Sequence, residues 1–160
     1  MNKRLLIVFF LIIICVFKIS AQENQPDETL RKTAFSYGVD VNMNSPFGFA
    51  YGAILGIDFY LPERSSIGIQ LTASSNGVNN STIEPSLAFR YYFSDSYSFF
   101  IQLDTGASFI SETGEVRINL LMGLRAGYRL YIGRIFFIEP FVRGGYPFIA
   151  GGGLLMGYRY

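Results

Sequence analysis

The chain has no histidine, no tryptophan, one cysteine and only 16% charged residues over 160 positions. Without histidine there is no Ser-His-Asp triad, no Cys-His pair and no histidine-held metal. Cys15 is the lone thiol, so no intrachain disulfide is possible. A formal charge of +1, with basic residues clustered only at the N-terminus, offers no footprint for nucleic acid. The run Gly151, Gly152, Gly153 is no phosphate cradle, because neither a lysine nor a helix follows it. Glu84 with Glu139 is a conceivable acid/base pair. Each has arginines in the same strand phase, however, and structural ion pairs are the expectation. No catalytic residue, cofactor or metal is expected, and the chain is not read as an enzyme.

What is present is glycine and aromatic residues: 17 Gly, 16 Phe and 11 Tyr. That mixture suits strands and tight turns. The N-terminus has its own logic. Lys3 and Arg4 precede an apolar run over residues 5–17, and small residues Ser20 and Ala21 follow. The run is shorter than the ~20 residues of a spanning helix, so residues 1–21 are expected to be a signal peptide cleaved after Ala21. Cleavage would remove Cys15, whose neighbour Ile14 is too bulky for a lipoprotein acylation site. Residues 22–32 are polar, contain Pro26 and read as a flexible periplasmic lead-in.

From residue 33 to 160 the sequence alternates in phase, with turn residues at intervals, and eight strands are expected. Turns are expected at Asn44-Ser45-Pro46, at residues 62–65 and 75–81, at Ser94-Asp95-Ser96, at Thr113-Gly114 and at Gly133-Arg134. The last is placed at residues 151–153, leading into an eighth strand ending at Tyr160. Short hairpins repeat underneath. A shift of thirty-two positions superposes Leu55, Ser66, Gln70 and Leu71 on Leu87, Ser98, Gln102 and Leu103.

The phase of the charges decides what kind of sheet this is. Asp40, Asp58, Glu84, Arg90, Asp104, Arg117, Arg125, Arg129, Glu139, Arg143 and Arg159 all fall in the polar phase of their strands. The opposite phase is apolar and aromatic in every strand, too much surface to hide within so short a chain. An arginine on a lipid-facing position costs ~2–4 kcal/mol at the bilayer midplane. The pattern therefore predicts an all-β, eight-stranded antiparallel up-and-down transmembrane barrel, with lipid outside and charge inside. Eight strands enclose room only for side chains, so six arginines and five acids should close the lumen with a hydrogen-bonded network, alongside Tyr60, Tyr92 and Phe141. Two aromatic girdles are expected. Phe35, Phe59, Tyr91, Phe93, Tyr97, Phe99, Phe136, Tyr158 and Tyr160 would form one, and Phe47, Phe49, Phe109, Tyr146 and Phe148 the other.

The whole of residues 33–160 resembles the small eight-stranded outer-membrane β-barrel proteins, the group of OmpX and the membrane domain of OmpA. The most specific element is the C-terminus, where Tyr160 is the final residue behind Tyr158, Met156 and Leu154 at alternate positions. This resembles the signal read by the barrel-assembly machinery, in which the final residue is more commonly Phe. The resemblance implies the outer membrane of a Gram-negative-type envelope, periplasmic chaperones during biogenesis, outer-membrane lipids as surroundings and a monomer. It implies no single activity. Three roles are open: a structural, membrane-maintaining barrel; a narrow, porin-like pore for small solutes; and a surface interaction protein or adhesin. The short loops weigh against the last, and the first is preferred.

Overall fold

The computed structural model describes residues 33–44, 48–78, 80–94 and 96–160. The expectations for residues 1–32, Ser45, Pro46, Phe47 and Asp95 lie outside the described residues. Among the described residues nine strands form: β1 (Thr33–Asn44), β2 (Gly48–Leu61), β3 (Ser65–Ser75), β4 (Asn80–Tyr92), β5 (Phe99–Glu112), β6 (Glu115–Tyr128), β7 (Leu130–Ile132), β8 (Phe136–Tyr146) and β9 (Phe148–Arg159). Neighbours in sequence pair antiparallel except β6 and β7, which both pair with β8; β1 also pairs with β9, so the sheet closes on itself. Thr33 and Tyr160 exchange both backbone hydrogen bonds at the seam, at 3.1 and 2.9 Å. This end of the barrel, where the chain enters and leaves, is called the terminal end below; the other is the far end.

β6 and β7 are one stave. Gly127 pairs with Phe141 and Leu130 with Ile138, which is the same register on both sides of the gap. The gap faces Pro140, which has no N–H to give the ladder. Arg129 turns its own N–H the other way, to the Ser98 carbonyl at 2.7 Å. The architecture is thus a closed antiparallel barrel of eight staves.

Closure sets the tilt. Stepping from Gly127 across paired residues leads through Phe141, Gly153, Asp40, Gly52, Ser74, Thr82 and Ile110. The path returns to β6 at Arg117, ten residues from its start. A stagger of that size tilts the strands by ~35–45° from the barrel axis. It also makes the far rim uneven: β8 ends at Tyr146 opposite Met122, while β6 runs on to Glu115.

Side-chain alternation matches the phase read from the sequence through most of the barrel. Val39, Leu55, Ile69, Leu87, Leu103, Leu124, Val142 and Met156 face outward and are exposed, while their neighbours in sequence face the lumen. Three expectations need correction. Residues 151–153 are not a turn but the middle of β9, and the far-end connection is Pro147 alone. Phe148 does not join an outer girdle. Met43 pairs with Ala150 and Asn44 with Phe148, so Ile149 is an extra residue at a bulge. A one-residue slip moves a side chain to the opposite face, and Phe148 points inward at 1% exposure. Tyr97, finally, lies in a turn with φ 53° and stacks with inward tyrosines rather than facing lipid.

Candidate functional site

The lumen gathers the chemistry-bearing side chains of the described residues, and it is arranged in layers. At the terminal end Tyr60, Tyr92 and Tyr97 pack together, with ring centroids 5.0 to 6.1 Å apart. The Arg159 guanidinium lies 4.1 Å from the Tyr60 ring centroid and 5.1 Å from that of Tyr97. Burial against a π-face lets an arginine leave water without losing all stabilisation of its charge.

The next layer is the densest. Glu139 Oε2 accepts from Arg129 Nε at 2.7 Å and from Arg90 Nη1 at 3.0 Å. Asp58 lies 3.7 Å from Arg90 and 3.8 Å from Arg129. Arg129 also donates to the Tyr60 hydroxyl. Each guanidinium rests on a phenylalanine, Arg90 at 4.1 Å from the Phe100 ring and Arg129 at 3.9 Å from the Phe137 ring. Two acids and two arginines are thus neutralised within one cross-section, drawn from β2, β4, β8 and the β6–β7 junction.

A third layer joins the two glutamines of the repeat. Gln102 accepts from Arg90 Nε at 2.8 Å and donates to Gln70 at 3.3 Å. It also donates to Asp104, which lies 3.6 Å from Arg125. Arg125 is 4.4 Å from the Phe141 ring, and its Nε and Nη1 have no hydrogen-bond partner among the described residues. Toward the far end Arg143 bridges Asp40 at 2.8 Å and Glu84 at 3.4 Å, under the ring of Phe148 at 4.1 Å. Ser108 donates to Glu84 at 3.4 Å.

Ten of the eleven charged residues read from the phase are therefore buried in the lumen. Arg117 is not. It is exposed on the part of β6 that runs past the end of β8. Glu84 and Glu139 lie in different layers, each on arginine, so they form no acid/base pair. Gln70, Gln102, Phe100, Phe137 and Phe148 complete the network. The matched glutamines of the repeat were a signal for two of them; Phe148 left none, because the bulge is invisible in the alternation. Leu154, Met156, Tyr158 and Tyr160 share the exposed outer face of β9 and the chain end.

Small residues leave the space that the long side chains fill. A Cβ on Gly157 would lie 2.3 Å from the Phe35 carbonyl oxygen and 2.4 Å from Phe137 Cζ. One on Gly127 would lie 2.5 Å from Phe100 Cζ. The rings beneath Arg90 and Arg129 fit only because those positions carry no side chain.

No protein-family model and no curated protein sequence matches the chain. Its fold is similar to that of several solved barrels. Ail of Yersinia pestis, an outer-membrane protein solved in a phospholipid bilayer nanodisc, superposes with TM-score 0.58 at 11% identity. The match covers 81% of this chain and 99% of that one. The N-terminal β-barrel domain of OprF from Pseudomonas aeruginosa gives 0.56 at 15% identity, over 81% and 99% of the two chains. A de novo designed transmembrane β-barrel gives 0.53 at 10% identity, over 81% and 96%. The chain has the fold of the small eight-stranded outer-membrane barrels.

Proposed function

We propose that this chain is an integral outer-membrane protein whose role is structural, a barrel that maintains the membrane while its lumen stays shut. The observation that carries the reading is the layer in which Arg90, Arg129, Glu139 and Asp58 meet across the interior. Breaking it open would strand buried charges, a cost of several kcal/mol. The exposed apolar face of all eight staves supports lipid as the outer solvent. The likeness to Ail and OprF supports the outer membrane as its place. On this reading the barrel is a monomer that reaches the membrane through periplasmic chaperones and the barrel-assembly machinery. No reaction is assigned to it.

A narrow pore is the second reading. It draws on the polar far half of the lumen, where Asp40, Asn42, Thr72, Ser74, Thr82, Glu84 and Ser108 face inward. A surface interaction protein is the third, and the extension of β6 past β8 is what favours it. Membrane fractionation followed by planar-bilayer recording separates the pore from the other two, and binding of intact cells to immobilised host-matrix protein separates the surface interaction protein from the structural barrel. The structural reading expects partition with outer membranes and no single-channel steps. Steady ohmic conductance from the unaltered barrel establishes the pore instead, and recovery with soluble or inner-membrane fractions overturns all three.

A further inference from the structure

We propose that Asp40 and Asn42 hold a hard monovalent cation, of the sodium class, in the far half of the lumen. Both side chains are almost completely buried, at 2% and 1% exposure. Asp40 Oδ2 is fully engaged, accepting from Asn42 Nδ2 at 3.1 Å and pairing with Arg143 at 2.8 Å. Asp40 Oδ1 and Asn42 Oδ1 have no hydrogen-bond partner among the described residues. Because the Asn42 amide nitrogen is committed to Asp40, the amide oxygen is fixed as the outlying atom of the group. Two buried acceptors without a donor are costly unless something positive or a donor reaches them.

The neighbouring strands leave room for the Asp40 carboxylate. Asp40 is flanked by Gly52 on β2 and Gly153 on β9, and Asn42 by Ala50 and Gly151. A Cβ added to Gly52 would fall 2.1 Å from Asp40 Oδ1 and 3.1 Å from Ser74 Cβ. Asp40 Oδ1 therefore lies in the bay that position 52 leaves by carrying no side chain, and Ser74 Cβ borders it.

Charge then selects the ion. The densest layer pairs two acids with two arginines, and Asp104 has Arg125. Asp40 and Glu84, by contrast, share Arg143 between them. Among the described residues one negative charge is left over at this level, and one monovalent cation cancels it. The donors are all oxygens, which suits a hard ion. A single surplus negative charge matches a monovalent ion, whereas a divalent one would leave the level positive. A water molecule could satisfy the two acceptors but would leave the charge.

A conducting and a closed barrel would hold the ion alike. The test uses the full barrel in detergent and reads the temperature at which heating changes its gel mobility in sodium, potassium or choline chloride at matched ionic strength. Ligand binding to the folded state raises that temperature. The midpoint is expected to be highest in sodium and lowest in choline, with the difference abolished in Asn42→Leu and in Gly52→Ala but kept in Arg117→Ala. Should Asn42→Leu not fold, the sodium NMR line of the wild-type barrel gives an independent reading. It should broaden on adding the protein, and less with Gly52→Ala. Equal midpoints in all three salts, a sodium effect that survives both bay substitutions, or a line unaffected by Gly52→Ala overturns the assignment.

Discussion

Glu139 and Arg129 stand opposite one another where the ladder between β8 and the β6–β7 stave is interrupted, and the carboxylate accepts from Arg129 Nε at 2.7 Å. The same oxygen takes Arg90 from across the lumen, forty-nine residues away in the chain. Local pairing and long-range closure therefore meet on one atom. Replacing Glu139 by alanine leaves two buried guanidinium groups with only Asp58 to balance them. The expected cost is ~3–5 kcal/mol, read as a lower urea midpoint for unfolding in lipid. On the closed-lumen reading, the cavity should also give conductance steps absent from the unaltered barrel. An unchanged midpoint would show that the layer is wet enough to need no carboxylate.

The outer face makes a prediction of opposite character. Leu87 is 54% exposed on the lipid side of β4, among outward Pro85 and Phe89. Leu87→Arg should cost ~2–4 kcal/mol in a bilayer-reconstituted unfolding titration. Arg117→Ala, at an exposed site with no lumen partner to lose, should stay within about 0.5 kcal/mol. If the arginine at position 87 is tolerated as well as alanine at position 117, the apolar face is not in lipid.

That contrast also shows what alternation can and cannot tell. Phase is a local property with period two, so the inward set was legible residue by residue from Asp40 to Arg159. Height along the axis is not local. Arg117 and Arg125 share a phase on one strand, yet Arg125 is sealed in the lumen while Arg117 stands beyond the end of β8. The ten-residue stagger that separates them is a sum over all eight staves, which no strand encodes alone. Likewise Gly151 and Gly153 look like turn residues. Their reason to be glycine is spatial: Gly151 faces Arg143 and Asn42 on its two sides, and Phe141 Cζ lies 2.8 Å from where a Gly153 Cβ would be.

The glycines can be ranked on the same footing. Gly157→Ala places a methyl against the Phe35 carbonyl and the Phe137 ring at once, at the seam that closes the barrel. Because backbone cannot yield as a side-chain tip can, this variant should show a reduced folded fraction in the heat-modifiability gel. Gly48→Ala meets nothing within 4 Å, but Gly48 has φ 76°. Its cost is conformational alone, on the order of 1 kcal/mol, and it should fold in full yield. Equal yields for the two would mean that the seam has slack.

Arg125 and Arg129, on the stave formed by β6 and β7, should part company when their charges are removed. Arg125 makes one long ion pair and leaves two nitrogens unsatisfied, whereas Arg129 is held by Glu139, Asp58, Tyr60 and the Phe137 ring. Burying an ion pair is worthwhile only where geometry and extra hydrogen bonds repay desolvation. The double substitution Arg125→Met with Asp104→Asn therefore removes a poorly repaid pair, and the amide introduced at position 104 can still meet Gln102. It should be neutral or stabilising by ~1–4 kcal/mol. Arg129→Met with Glu139→Gln also removes a formal pair, but it leaves Arg90 and Asp58 only each other, at 3.7 Å, without the short charged hydrogen bonds that joined the layer. It should lower the urea midpoint and open the lumen in bilayer recordings. Similar losses from both double variants would mean that the lumen behaves as one continuous network rather than as layers of unequal worth.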